Sequence, residues 1–186
     1  MKLSALLETL RKLLEALDEE GIDYMLLGGL ALPAYGRPRA TYDIDLAISI
    51  RDPKLFKTLE AELVRKNFQL PAELNPGVPC VYLCDLENCT SVEFWFSPDG
   101  ISFDEAKQRR LRVEVAKGLK AWVIGPEDFV VNKLARPDRS ELDEHDVISV
   151  LERQKKLDEK YLRRRARAAG VLEVLEALRA RIRQTA

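Results

Sequence analysis

The sequence has few cysteines and one histidine, His145. The number of cysteines is odd, which argues against a framework of disulfide bonds; they are Cys80, Cys84 and Cys89. No fourth cysteine or nearby histidine completes a tetrahedral zinc site. We therefore expect buried or bystander thiols, with a single disulfide as the alternative if the source is a hyperthermophile. His145 is expected at the surface.

Long apolar runs and a strong net charge are also missing. No run approaches the roughly 20 residues needed to cross a bilayer, and acidic residues interrupt the N-terminal segment, which a signal peptide would keep apolar. The net charge of −1 gives no general attraction to DNA or acidic membranes. These absences predict a cytoplasmic protein without a membrane partner. Few Asn and Gln beside many Glu and Arg favour a thermophilic source.

Helical and strand patterns alternate in the first two thirds of the sequence. Leucines at steps of three and four residues predict a helix from Leu3 to Leu17 that ends before Gly21. Short apolar runs predict strands at residues 23–27, 41–50, 80–85, 90–97, 112–116 and 120–124. Helices are predicted between them at residues 30–35, 53–66 and 103–109, with a loop at 70–79.

From Pro126 the pattern is helical, with further helices predicted at 140–154, 158–169 and 171–182. The predicted fold class is therefore α+β, a mixed sheet flanked by helices and followed by a C-terminal helical region. We expect one domain at 1–125 and the helical region at 126–186.

The pattern that carries chemistry is Gly28-Gly29, then thirteen residues, then Asp43-Ile44-Asp45. A Gly-Gly turn lets a phosphate approach the backbone, and the helix after it offers free N–H groups. Strand alternation places Asp43 and Asp45 on one face, where two carboxylates favour Mg²⁺. Each motif alone is better explained by an ordinary turn or a solvated strand. In this order and spacing, the two together predict phosphoryl or nucleotidyl transfer.

This pattern resembles the signature of the DNA polymerase beta-like nucleotidyltransferase superfamily, with Gly28-Gly29 followed by Asp43-Ile44-Asp45. The stretch 28–45 is most similar to minimal prokaryotic members related to the AbiEii-type toxins. The resemblance implies that Asp43, Asp45 and a third carboxylate on a neighbouring strand hold two Mg²⁺ ions. The matching position is Glu93, where these relatives usually have Asp. A lone acid in an apolar strand is also costly unless it is paired or metal-bound; a salt bridge at a sheet edge is the alternative.

The resemblance also implies which residues bind the nucleotide. Gly28 and Gly29 would hold the β- and γ-phosphates of an NTP, and Arg39, Thr41 and Lys133 complete the predicted nucleotide-binding set. Arg37 is a further candidate cation, although we favour an ion pair that pins its loop. For Lys133 the alternative is a solvated helix face.

The predicted function is transfer of an NMP from an NTP to an unknown acceptor, which could be a protein hydroxyl, an RNA 3′ end or a small molecule. The rival hypothesis is a catalytically degenerate binding module with a cognate toxin or antitoxin as its partner. A tRNA-directed toxin is the enzyme hypothesis with the acceptor specified.

Two charged groups in the helical region are predicted to have no catalytic role. The acidic group is expected to be solvated or to cap helices: Asp138, Asp143, Glu144 and Asp146. The basic group is expected to form a solvated helix face, with contact to a polyanion such as tRNA as the alternative: Arg163, Arg164, Arg165 and Arg167.

Overall fold

The computed structural model describes residues 3–71, 74–75 and 77–185. Residues 72, 73 and 76 of the predicted loop lie outside the described residues. The first helix, α1 (Leu3–Glu19), has the predicted apolar face and buries Leu6, Leu10, Leu13, Leu14 and Leu17. It ends before Gly21, whose φ of +63° breaks the helix at low cost because glycine has no Cβ.

Within the described residues, seven strands form one mixed sheet. They are β1 (Asp23–Leu26), β2 (Asp43–Ser49), β3 (Phe68–Gln69), β4 (Cys80–Asp85), β5 (Thr90–Trp95), β6 (Leu111–Ala116) and β7 (Leu119–Val123). Their order across the sheet is β3-β4-β5-β2-β1-β7-β6. The pairs β2–β5 and β1–β7 are parallel, and the other pairs are antiparallel. The mixed sheet with flanking helices confirms the predicted fold class.

The remaining helices are α2 (Gly28–Ala31), α3 (Pro53–Arg65), α4 (Phe103–Lys107), α5 (Pro126–Ala135), α6 (Glu141–Arg153), α7 (Glu159–Ala168) and α8 (Leu172–Thr185). Helices α1 and α3 pack against each other, and α1 also contacts β1, β2 and β5. Helices α5 to α8 pack mainly on one another. Buried apolar residues of the sheet and of these C-terminal helices form one continuous core. None of the helices in the described ranges is long and apolar enough to cross a membrane.

One face of the β4–β5 pair is buried and the other is open. Val81, Leu83, Val92 and Phe94 alternate along the buried face, whereas Tyr82 on the opposite face is 67% exposed. Tyr82 lies directly across from Glu93 in the antiparallel register. Because paired residues point to the same side of a sheet, Glu93 also belongs to the open face.

The predicted boundaries were wrong at two places that matter for the site. We predicted a tight turn at Gly28-Gly29 and a helix from Leu30, but α2 begins at Gly28 itself. A φ of +57° at Gly28 turns the chain directly from β1 into this helix. The strand predicted at 41–50 begins only at Asp43, so Thr41 lies in the irregular segment before β2.

Three smaller differences concern short or terminal elements. The two-residue strand β3 was not predicted, because two residues carry no periodicity. Residues Leu32–Ala34 form a 3-10 turn rather than part of one longer helix. Strand β5 ends at Trp95 instead of residue 97.

Candidate active site

Three carboxylates converge on the open face of the sheet. In the parallel β2–β5 register, Asp45 lies beside Glu93 and Asp43 lies beside Ser91. One oxygen each of Asp43, Asp45 and Glu93 lies within 4.8 Å of the other two. Strand β5 is interior to the sheet, between β4 and β2. The alternative of a salt-bridged Glu93 at a sheet edge is therefore wrong.

The crowding of these acids has an electrostatic cost. Burial, the charges of Asp43 and Glu93, and a hydrogen bond with Glu93 raise the pKa of Asp45 to about 7, against the opposing charge of Lys133. Like charges at this range cannot all ionise without penalty. A divalent cation would remove the penalty, and an all-oxygen set of ligands is what Mg²⁺ prefers. The residues present therefore fit a Mg²⁺ site.

Both glycines are required by close side-chain contacts. A Cβ on Gly28 would lie 1.8 Å from Oδ2 of Asp45, and a Cβ on Gly29 would lie 2.7 Å from Oγ1 of Thr41. Thr41 in turn donates a 2.7 Å hydrogen bond from Oγ1 to Oδ1 of Asp43. Because it lacks Cβ atoms, the Gly-Gly segment leaves the space that Asp45 and Thr41 occupy, a role that the sequence did not indicate.

A buried ion-pair network forms the opposite wall. Lys133 is 4% exposed, so the solvated-face alternative is wrong for this residue. Its Nζ lies 2.7 Å from Oδ1 of Asp143 and 3.3 Å from Oδ2 of Asp146. Arg39 donates to the same Asp146 through Nε at 2.9 Å and Nη2 at 3.0 Å. Asp146 therefore bridges the two cations that we predicted to contact the nucleotide.

The prediction of solvated or capping acids has different outcomes for the two acids of this wall. Asp143 forms a capping box with Ser140 at the start of α6, which confirms the capping prediction. Asp146 is 3% exposed and pairs with Arg39 and Lys133, so a solvated or capping role is wrong for it. Their spacing of three residues, which places both on one helix face, was the available signal.

The predicted residues surround one cleft of about 390 Å³. Its lining includes Gly29, Arg39, Thr41, Asp43, Asp45, Glu93 and Lys133. Gly28 lies just behind, where it borders a smaller cavity shared with Asp45 and Trp95. Arg37 is not part of this cleft and pairs with Glu152 at 2.7 Å, as the preferred interpretation expected. Arg136, which we did not assign, and Asp138, which is exposed as predicted, complete the rim as an ion pair.

Trp95 is a further residue at the site, which we did not predict from the sequence. It follows Glu93 by two residues on the same face of β5, and its indole Nε1 donates to Oε2 of Glu93 at 3.1 Å. The signal was available, because positions two apart on a strand share a face.

Other residues considered from sequence lie outside the cleft. The three cysteines are free, although burial and the charges of Glu93 and Asp45 raise the pKa of Cys80 to about 12. His145 is exposed, as predicted. The solvated-face prediction is wrong for Arg165, which is 7% exposed and lies near Asp128 and Glu105.

Solved structures of nucleotidyltransferase-like proteins share this fold. An antigenic nucleotidyltransferase-like protein from Paracoccidioides brasiliensis matches with a TM-score of 0.54 and 21% identity, over 95% of this chain and 92% of that one. The antibiotic-resistance factor ANT(2'')-Ia in solution gives a TM-score of 0.54 at 18% identity, over 98% of this chain and 93% of that one. Its crystal structure with adenylyl-2''-tobramycin gives 0.52 at 19% identity, over 99% of both chains.

Sequence comparison gives a family for almost the whole chain. No protein with a curated description matches the sequence. A family profile, in contrast, matches residues 1–184. The chain therefore belongs to the family described as "Nucleotidyltransferase of unknown function (DUF6036)".

Proposed function

We propose that the protein transfers an NMP from an NTP to an acceptor hydroxyl and that the transfer depends on Mg²⁺. The observation that carries the proposal is the convergence of Asp43, Asp45 and Glu93 within 4.8 Å on an open sheet face. Membership of a nucleotidyltransferase family agrees with it. The AbiEii-type relationship and a toxin or antitoxin partner stay predictions.

The three carboxylates have separable roles in this proposal. We assign Asp43 and Asp45 to the side of the cleft that binds the triphosphate and Glu93 to the side that binds the acceptor. When bound, Mg²⁺ supplies positive charge for the triphosphate and lowers the pKa of the attacking hydroxyl. Thr41 fixes one oxygen of Asp43. In this proposal, Glu93 accepts the proton that the acceptor hydroxyl loses.

The triphosphate side is assigned from charge. Lys133 and Arg39 line the cleft and are held in place by the buried Asp146. A lysine and an arginine fixed beforehand stabilise the charge that develops on departing pyrophosphate without reorganising. Gly29 borders the same cleft, and Gly28 borders the smaller cavity behind it. We propose that residues 1–125 supply the carboxylates, while residues 126–186 supply Lys133 and the acids that hold the cations.

The acceptor side is assigned from exposure. Beyond Glu93 the open face continues to Tyr82 and Ser91, both exposed. A fold of this kind is compatible with a nucleotidylated small molecule, since ANT(2'')-Ia was solved with adenylyl-2''-tobramycin. We propose an acceptor hydroxyl on a small molecule, a protein or an RNA 3′ end, with all three compared in one assay.

The test is transfer of label from NTPs radiolabelled in the α-phosphate, with Mg²⁺ or with chelator. Acceptors are an aminoglycoside, total tRNA and a cell extract. We expect a labelled product with Mg²⁺ and none with the double variant Asp43→Asn, Asp45→Asn. A matched charge control is Asp18→Asn, which changes an exposed residue on α1 and leaves transfer intact.

Two results would oppose this function. Absence of labelled product with every NTP and acceptor, together with nucleotide binding by calorimetry and capture of a protein partner, would favour the catalytically degenerate binding module. Equal transfer by the double variant would show that the three carboxylates are not the site of the reaction.

A further inference from the structure

Glu93 accepts a hydrogen bond from a neutral donor, the indole of Trp95. The indole Nε1 of Trp95 lies 3.1 Å from Oε2 of Glu93. Trp95 is itself half-buried and packs against the core, and it borders the small cavity that Gly28 and Asp45 also line. Among the residues with described positions, no lysine or arginine forms an ion pair with Glu93.

A neutral donor suits a carboxylate that must keep its charge. The indole N–H can donate but cannot accept or ionise, so it orients one oxygen without cancelling the negative charge or competing with a cation. One oxygen of Glu93 lies within 4.8 Å of an oxygen of Asp43 and of an oxygen of Asp45. A lysine at the position of Trp95 would instead neutralise the site.

Glutamate needs such a restraint more than aspartate does. Its side chain has one more rotatable bond, and ordering that bond costs free energy when a ligand binds. A hydrogen bond that selects the orientation beforehand removes part of the cost.

We propose that Trp95 is a positioning residue that holds the Glu93 carboxylate toward Asp43 and Asp45, so that a divalent cation meets three prepared ligands. The inference rests on the metal site of the proposed function. It assigns to Trp95 no contact with the nucleotide or the acceptor.

The first test measures binding of Mn²⁺ alone, by electron paramagnetic resonance, to the full chain. Trp95→Phe keeps an aromatic ring and removes the N–H group, and we expect the Mn²⁺ affinity to fall about 10- to 100-fold. The matched control is Trp122→Phe. Trp122 lies on β7, and Arg110 and Arg112 stack on its ring. Trp122 is not among the residues lining the cleft or the smaller cavity that Trp95 borders. The control should bind Mn²⁺ as the wild type does.

Tryptophan fluorescence gives a second readout, because Trp95 and Trp122 are the two tryptophans of the chain. Titration with Mg²⁺ should change the emission of Trp122→Phe, in which Trp95 remains. The same titration should leave the emission of Trp95→Phe unchanged. Emission from Trp95 that does not respond to saturating Mg²⁺ would overturn the inference.

A double-mutant cycle separates positioning from general packing. Glu93→Asp shortens the side chain and removes its contact with the indole, so Trp95→Phe should cost little further Mn²⁺ affinity in that background. Equal losses in both backgrounds would assign Trp95 a packing role and overturn the inference. The same conclusion follows if folded Trp95→Phe binds Mn²⁺ within about twofold of the wild type, a difference of only about 0.4 kcal/mol.

Failure of this inference is distinguishable from failure of the proposed function. Normal Mn²⁺ binding by Trp95→Phe beside NMP transfer by the wild type would overturn the inference alone. Weakened Mn²⁺ binding by Trp95→Phe without NMP transfer by the wild type would support the inference and oppose the function. A wild type that binds no Mn²⁺ would oppose both.

Discussion

Replacing Asp45 by Asn should stabilise the metal-free protein while destroying the metal site. Burial and the neighbouring acids raise the pKa of Asp45 to about 7 from an ordinary 3.8. A carboxyl with a higher pKa in the folded state binds its proton more tightly there. Its contribution to stability is therefore complete below about pH 4 and is lost as the pH rises through about 7. Asn cannot ionise, so the variant avoids that loss.

The size of the effect follows from the same values. The difference between 3.8 and about 7 corresponds to about 4 kcal/mol. Water that reaches this half-buried cluster screens part of the repulsion. We expect Asp45→Asn to raise the free energy of unfolding by about 2 kcal/mol near pH 8. Near pH 4 the gain should vanish, because Asp45 is then already protonated in the folded wild type.

The assay is urea unfolding with chelator at both pH values, with Asp18→Asn as the control for loss of an exposed charge. Saturating Mg²⁺ should then reverse the order, since a cation at 100 times its Kd stabilises the wild type by about 2.7 kcal/mol and the variant much less. A metal-free variant less stable than the wild type near pH 8, or a difference independent of pH, would refute the electrostatic reasoning.

Two further substitutions test contacts that support the site, and a third tests a buried acid outside it. Gly28→Ala places a Cβ against Asp45 and should lower Mn²⁺ affinity by about 100-fold. Gly118 is the control, because it has a similar positive φ but lies in open space. Gly118→Ala should cost only about 1 kcal/mol of stability. Asp146→Asn loosens the two cations that it bridges, and steady-state kinetics should show the KM for NTP rising about tenfold, or about 1.4 kcal/mol. Asp85 is buried and pairs with Lys12 and Thr9. Asp85→Asn should therefore lower the free energy of unfolding by about 2–4 kcal/mol near pH 7 without changing Mn²⁺ affinity.

The pH dependence of the Asp85 effect has the opposite sign to that of Asp45. Burial opposes ionisation of Asp85, but hydrogen bonds from Lys12, Thr9 and Asn88 outweigh it and lower its pKa to about 2. The stability that ionised Asp85 supplies is present above about pH 4 and lost as the pH falls toward 2. The variant's deficit should therefore shrink in acid, and a deficit that grows there would contradict this account.

Local patterns predicted the parts of the site that lie on one element. A period of two placed Asp43 and Asp45 on one face of β2, and leucine spacing predicted the buried face of α1. Both depend only on the geometry of a single strand or helix. The position of Glu93 was predicted through a resemblance, since nothing in its own segment says which strand lies beside it.

Contacts between distant elements could not be predicted in this way. The parallel pairing of β2 with β5 depends on how the intervening 40 or so residues cross over. The contact of Gly28 with Asp45 is likewise set by packing between α2 and β2. The bridge from Asp146 to Lys133 requires α5 and α6 to pack at one relative position, which side-chain spacing along each helix does not determine.

The central claim is that Asp43, Asp45 and Glu93 together hold the catalytic cation. The most direct test is a crystal structure with a non-hydrolysable NTP analogue and Mn²⁺, located by anomalous scattering. We predict a Mn²⁺ peak bound by oxygens of all three carboxylates at about 2.0–2.2 Å, with the triphosphate toward Lys133 and Arg39. An NTP analogue bound elsewhere, or a Mn²⁺ peak that lacks Glu93 among its ligands, would contradict the account.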